Sequence, residues 1–178
     1  MNDVKSIQLL PGRERRLLQG HKWVFSNELA EPPAELEPGG WVAVHSSRGV
    51  GFGSGYFNPH SLIAVRLVCG PHEKPSREWF RELLQRAAER RGNLFYAASP
   101  CARLVYGEAD GLPGLIVDRY GEILVYQITT LGMSRLEDLL QGLLIELFQP
   151  RALVFRNDTP VRTLEGLPLV KGVARGEV

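Results

Sequence analysis

The sequence predicts a mixed α and β chain in which a small β-barrel over residues 1–72 is followed by an α+β domain over residues 73–178, made of a helix, a β-hairpin and a β-α-β unit. Three observations carry this. From Trp41 onward, VAVH, GVGFGSGYF and LIAVRLV are short alternating runs broken by Ser, Gly, Asn or Pro, as in a small all-β unit. Between Gly70 and Ser76, which bracket Pro71 and Pro75, the apolar period changes from two to 3.6. Beyond that point, turn dipeptides and one long leucine-rich stretch alternate with strands.

The first unit begins with Ser6 to Leu10, a short apolar strand closed by Pro11-Gly12, and RERRLLQG then gives a helical turn or two ending at Gly20. Arg13, Arg15, Arg16 and Lys22 therefore crowd one corner. Trp23 and Phe25 alternate with Val24 in a strand, and Trp23, Phe25, Trp41 and Phe52 are expected in the core. EPPAELEPGG is a linker within the domain. In GFGSGYF, glycines at 51, 53 and 55 permit a tight barrel corner or the close approach of another backbone. They are no nucleotide fingerprint, because strand residues and Asn58-Pro59 follow where a helix would be required.

In the second unit, Ser76 is placed to cap a helix running to Arg91, with Trp79, Phe80, Leu83, Leu84, Ala87 and Ala88 on one face and Gly92 as its stop. Its other face mixes Arg77, Arg81, Arg86, Arg90 and Arg91 with Glu78, Glu82 and Glu89, as a solvated, ion-paired surface does. After a strand around Leu104, the turn dipeptides Asp110-Gly111 and Pro113-Gly114 lead into a strand with core Leu115-Ile116-Val117, which turns at Tyr120-Gly121 to pair with Ile123 to Ile128. Asp118 and Arg119 read as a surface pair. Ser134-Arg135-Leu136-Glu137 has the form of a capping box for a second helix reaching Pro150, with Leu139, Leu140, Leu143, Leu144, Leu147 and Phe148 inward. Ala152 to Phe155 should lie parallel to Ile123–Ile128, and LPLVKGVARGEV has the makings of one more strand.

A chain of 178 residues buries roughly 70% of its extended surface on folding. With 23% charged residues and a net charge of +1 it is no polycation, so nucleic-acid binding has to be local. Of 21 basic residues, only Lys5, Lys22, Lys74 and Lys171 are lysine. Arginine suits bidentate phosphate contact and base stacking, although GC-rich coding produces the same bias. Cys69, Cys101 and the histidines at 21, 45, 60 and 72 lack metal-ligand spacing, so reduced thiols are expected. No signal-like or membrane-length apolar run occurs, and a soluble, cytoplasmic protein with no membrane partner is the expectation.

Three stretches together resemble a known family: LVYGEADGLPGLIVDRYGEILVYQ (Leu104 to Gln127), LLPGRERRLLQGHKWVFSNEL (Leu9 to Leu29) and RNDTPVRTLEGL (Arg156 to Leu167). They are similar to the bacterial 23S rRNA cytosine-5 methyltransferases that carry an N-terminal PUA domain. Lys22, where a proline often follows the histidine, and Tyr106, where a polar residue is common, depart from that pattern. The resemblance implies a PUA-like RNA-binding domain over 1–72 and the family's middle domain over 73–178, with structured RNA, in particular rRNA, as partner. It also implies that S-adenosylmethionine (SAM) and the catalytic cysteine belong to a methyltransferase domain of about two hundred residues outside this chain, so that these residues alone hold no cofactor and are inactive. The alternative is a stand-alone, non-enzymatic PUA-type RNA-binding module that works with a partner.

Cys101, preceded by Pro100, is the residue most easily mistaken for a cytosine-attacking thiolate. Attack at C6 needs a methyl donor on the opposite side and a placed proton acceptor, and neither has a candidate. Glu108 and Asp110 could be an acid and base pair, but carboxylates in turns usually cap backbone amides. The RNA-binding candidates are Arg13, Arg15, Arg16, His21 and Lys22, joined by Arg48 and Arg66, with Tyr56, Phe57 or Trp23 stacking a base.

Overall fold

The computed structural model describes residues 4–32, 35–71, 73–95 and 100–178. His72, Ser99 and the middle of EPPAELEPGG lie outside them. The chain divides into two compact units, Met1–Pro75 and Ser76–Val178.

The first unit holds one five-stranded sheet in the order β1-β3-β4-β5-β2, where β1 is Lys5–Gln8, β2 Trp23–Phe25, β3 Trp41–His45, β4 Gly51–Phe57 and β5 Ile63–Cys69. β1 runs parallel to β3 and the other pairs are antiparallel. The two outer strands meet: Leu10 N donates to Glu28 O and Ala30 N to Gln8 O, each at 2.8 Å, around an isolated bridge between Leu9 and Leu29. The sheet thereby closes on Ile7, Leu9, Val24, Val42, Val44, Phe57, Val65 and Leu67, all nearly inaccessible. A helical turn, α1 (Arg15–Leu18), stands between β1 and β2. The glycine run in β4 serves close approach, since a Cβ on Gly55 would run into the Arg66 carbonyl and the Leu67 Cα at the bulge of the β4–β5 pair.

The second unit is a five-stranded sheet in the order β10-β9-β8-β7-β6. Its strands are β6 (Cys101–Tyr106), β7 (Leu115–Tyr120), β8 (Ile123–Ile128), β9 (Ala152–Asn157) and β10 (Val170–Arg175). β7 and β8 form the hairpin, pairing Tyr120 with Ile123, while β8 and β9 are parallel across α3 (Leu131–Ser134) and α4 (Glu137–Phe148). α2 (Arg77–Phe95) packs on β6 and α4. Ser76 caps it as expected, accepting from Trp79 N at 3.2 Å.

Several expectations need correction. α2 passes through Gly92 to Phe95, because one glycine costs a helix only about 1 kcal/mol. Ser134 starts no helix; it ends α3, and α4 begins after Leu136 without a side-chain cap. Glu137 faces inward instead, accepting from Tyr126 Oη at 2.6 Å and Asn157 Nδ2 at 3.0 Å. Asp118 pairs with Arg103 across β6 and β7, whereas Arg119 donates to Gly121 O. The Arg156–Asp158 pair stays on the surface, but the rest of RNDTPVRTLEGL is largely architecture. Asn157 Oδ1 accepts from Ile128 N at 2.7 Å, Arg162 donates to the carbonyls of Ile128 and Pro168, and Glu165 accepts from Leu131 N. Burial holds the Arg162 pKa below the usual guanidinium value.

Candidate nucleic-acid interface

Between Pro11 and Phe25 the chain carries Arg13, Arg15, Arg16 and Lys22 against a single acid, Glu14. The segment is positioned by its backbone: Arg13 N donates to Leu10 O, His21 N to Arg16 O, and Leu67 N to Lys22 O, the last fastening it to β5. Arg13, Arg15, His21 and Lys22 are exposed. Among the described residues none of these four forms an ion pair, so the charge of Arg13, Arg15 and Lys22 is presented to solvent.

Arg16 behaves differently. It is half-buried, with its guanidinium 4.5 Å from the centroid of the Phe25 ring and 3.9 Å from Glu28, whose other oxygen accepts from Phe25 N. It braces the corner. Arg48 is at the exposed β3–β4 turn, where its N–H donates to Ser46 Oγ. Arg66 is in β5, directly opposite both Tyr56 and Trp23, and its guanidinium lies 5.6 Å from the Trp23 ring centroid.

The aromatic expectations change most. Tyr56 is 3% exposed and meets Trp41 edge-on at 6.1 Å, and Phe57 is equally buried in the barrel core, so neither offers a face to a base. Trp23, expected in the core, is 36% exposed. The signal that could have separated them is alternation: Val24 fills the core, which turns Trp23 and Phe25 to the opposite face.

The alternative chemical candidates are tied up or ordinary. Asp110 has a fully buried carboxylate that receives Arg91 Nη1 and Nη2 at 2.9 and 2.6 Å, Arg90 Nη1 at 3.3 Å and the Tyr106 amide at 2.7 Å. It anchors the DGLPG turn to α2. Cys101 opens β6 at an exposed position opposite Tyr120. Burial, with Glu73 adding to it, pushes the Cys69 thiol up to about 11, so it stays protonated near neutrality. Among the described residues no cluster of His, Cys, Asp or Glu could hold a metal ion, and no helix is long and apolar enough to cross a membrane.

Comparison with known proteins bears on the fold. Residues 7–69, from within β1 to the end of β5, match the PUA-like domain family. Over 97% of its length the chain is also similar to proteins named ribosomal RNA large subunit methyltransferase I, at 36% identity for that of Shewanella amazonensis and 35% for that of Shewanella denitrificans. The chain thus resembles part of these longer methyltransferases. It spans 44% of the length of these relatives. Among solved structures, a putative SAM-dependent methyltransferase from Streptococcus mutans superposes on 98% of the chain with a TM-score of 0.79 at 15% identity, again over 44% of that protein, which establishes the shared fold. The three stretches divide in the structure: DGLPG and RNDTPVRTLEGL hold the second sheet together, while GRERRLLQGHKW forms the exposed corner.

Proposed function

We propose that this chain is the RNA-binding region of a SAM-dependent rRNA (cytosine-5) methyltransferase, docking structured rRNA through the barrel corner at Arg13, Arg15, His21 and Lys22. The observation that carries the reading is that these cationic and imidazole groups are exposed together and, among the described residues, without ion pairs. A duplex or hairpin backbone offers the complementary phosphates, and each one neutralised releases counterions. Arg48 and Arg66 extend the same chemistry to the β3–β4 turn and β5. A cytoplasmic location follows from such a partner.

In this reading the methyl donor is held outside these residues. The connection from β8 into α3 runs through Thr129 and Thr130, whose hydroxyls are spent on Gly114 O and Pro113 O, and no glycine loop opens there for an adenosyl ligand. Our reading therefore assigns binding to this chain and donor chemistry elsewhere in the family's longer proteins.

The test is filter binding of a structured rRNA fragment at several salt concentrations. Affinity is expected to be about micromolar or weaker and to fall with salt. Arg13→Glu with Arg15→Glu should weaken it and lower the log–log salt slope by about two, whereas Arg86→Glu with Arg175→Glu, the same charge change in the second unit, should do much less. Equal losses from the two double variants would remove the corner as the site.

A further inference from the structure

The corner combines charge with one accessible aromatic surface. Across the barrel sheet, Trp41, Tyr56, Arg66 and Trp23 stand in register on adjacent strands β3, β4, β5 and β2. From Tyr56 toward the edge of the sheet exposure rises: Tyr56 is shut in against half-buried Trp41, Arg66 is half-buried, and Trp23, on the edge strand β2, keeps 36% of its surface with the Arg66 guanidinium already laid over its ring. Trp23 follows Lys22 directly, and the Lys22 carbonyl accepts from Leu67 N, which fixes the edge of the sheet where the indole sits.

A tryptophan in this setting is poor as packing and good as a platform. Core burial would hide far more of an indole than β2 hides here. A cation stacked on an aromatic ring places positive charge within reach of any phosphate whose base lies along that ring, so base and backbone are met together. Tyr56 and Phe57 cannot serve, being buried, and Phe25 is covered by Arg16.

We propose that Trp23, backed by Arg66, is a stacking site for one unpaired nucleobase, so that the corner prefers RNA presenting a loop or bulge over fully paired RNA. This rests on the RNA-binding reading and adds to it a specificity that phosphate contacts alone do not supply.

The test uses the whole chain with three probes: an oligouridylate, a fully paired RNA duplex, and inorganic polyphosphate as a phosphate-only control. Trp23→Leu should lower oligouridylate affinity about 5- to 150-fold while leaving the salt slope unchanged, and Trp23→Phe, which keeps a ring, should restore most of it. Duplex and polyphosphate binding should move little. In a chain whose other tryptophans are replaced (Trp41→Phe, Trp79→Phe), the remaining Trp23 emission should be quenched by oligouridylate and not by polyphosphate. Should that variant fold poorly, the Leu and Phe substitutions decide the matter by affinity alone. Wild-type oligouridylate affinity in Trp23→Leu, with salt-dependent RNA binding intact, overturns the stacking site and spares the proposed function. Absence of salt-dependent binding to any of the RNAs overturns both.

Discussion

Arg77, Arg81, Arg86, Arg90 and Arg91 on α2, and Arg13, Arg15 and Arg16 at the barrel corner, are both arginine-rich runs, yet the fold uses them in opposite ways. On α2, Arg77 and Arg81 converge on Glu146 of α4, Arg86 pairs with Glu82 one turn away, and Arg90 and Arg91 close on buried Asp110. Every one has an acid. At the corner, among the described residues, Arg16 alone is engaged, by Phe25 and Glu28, while Arg13 and Arg15 face solvent. Arginine count therefore says little about nucleic acid. What matters is whether the fold supplies carboxylates, because a guanidinium already bonded in a bidentate pair must lose that pair before it can take a phosphate.

The contrast can be broken from either side. The largest effect is expected from Asp110→Ala, which leaves Arg91 facing a vacated buried site: denaturant unfolding should show the second unit weaker by about 3–5 kcal/mol, with RNA affinity unchanged. If Asp110→Ala melts like the parent, the α2 arginines are not structural. Leu140→Ala, on the buried face of α4, should cost about 2–5 kcal/mol through lost burial and a cavity. Gly114→Ala should cost about 2 kcal/mol, since φ is +85° there and a Cβ would collide with the Thr130 side chain.

A pH scan probes the interior of the same unit. Burial, then the hydrogen bond to Glu137, raises the Tyr126 phenol above its ordinary 10.0, so its stabilising contribution is complete below that value and is lost as pH climbs past it. Tyr126→Phe should make the alkaline decline in thermal stability shallower, and an identical decline would mean the phenol is not the group involved. The smallest effect on stability belongs to the corner. Arg13→Ala with Arg15→Ala should change the melting free energy by no more than about 0.5 kcal/mol while still lowering RNA affinity, the mirror image of Asp110→Ala.

Much of the fold could be read from residues alone, because alternation and turn dipeptides are local. The hairpin of β7 and β8, the parallel return of β9 and the late strand β10 all stand where the pattern put them. Several of the departures share a cause, a partner distant in sequence. Aromatic rings usually lie in the core, as expected of Trp23, but which face of a three-residue edge strand turns inward depends on β5. Ser134 and Glu137 have capping-box spacing, yet Tyr126 and Asn157 compete for the Glu137 carboxylate and win it. Nothing local marks Arg162 as buried, since its carbonyl partners are Ile128 and Pro168. The basic corner, by contrast, was legible because it lies within one short segment.

The barrel is fastened between its outer strands by a clasp of two amides, Leu10 to Glu28 and Ala30 to Gln8, and the segment enclosed by that clasp carries Arg13, Arg15, Arg16 and Lys22. Opening it would cut few bonds compared with opening β4, which is hydrogen-bonded on both sides. The Leu10 and Ala30 amides should therefore be among the first of the sheet to exchange with deuterated water. Because the two ends of the segment are the two halves of the clasp, whatever grips the corner in its closed form also holds the barrel shut. A polyanion bound there would slow exchange at two amides that it never touches.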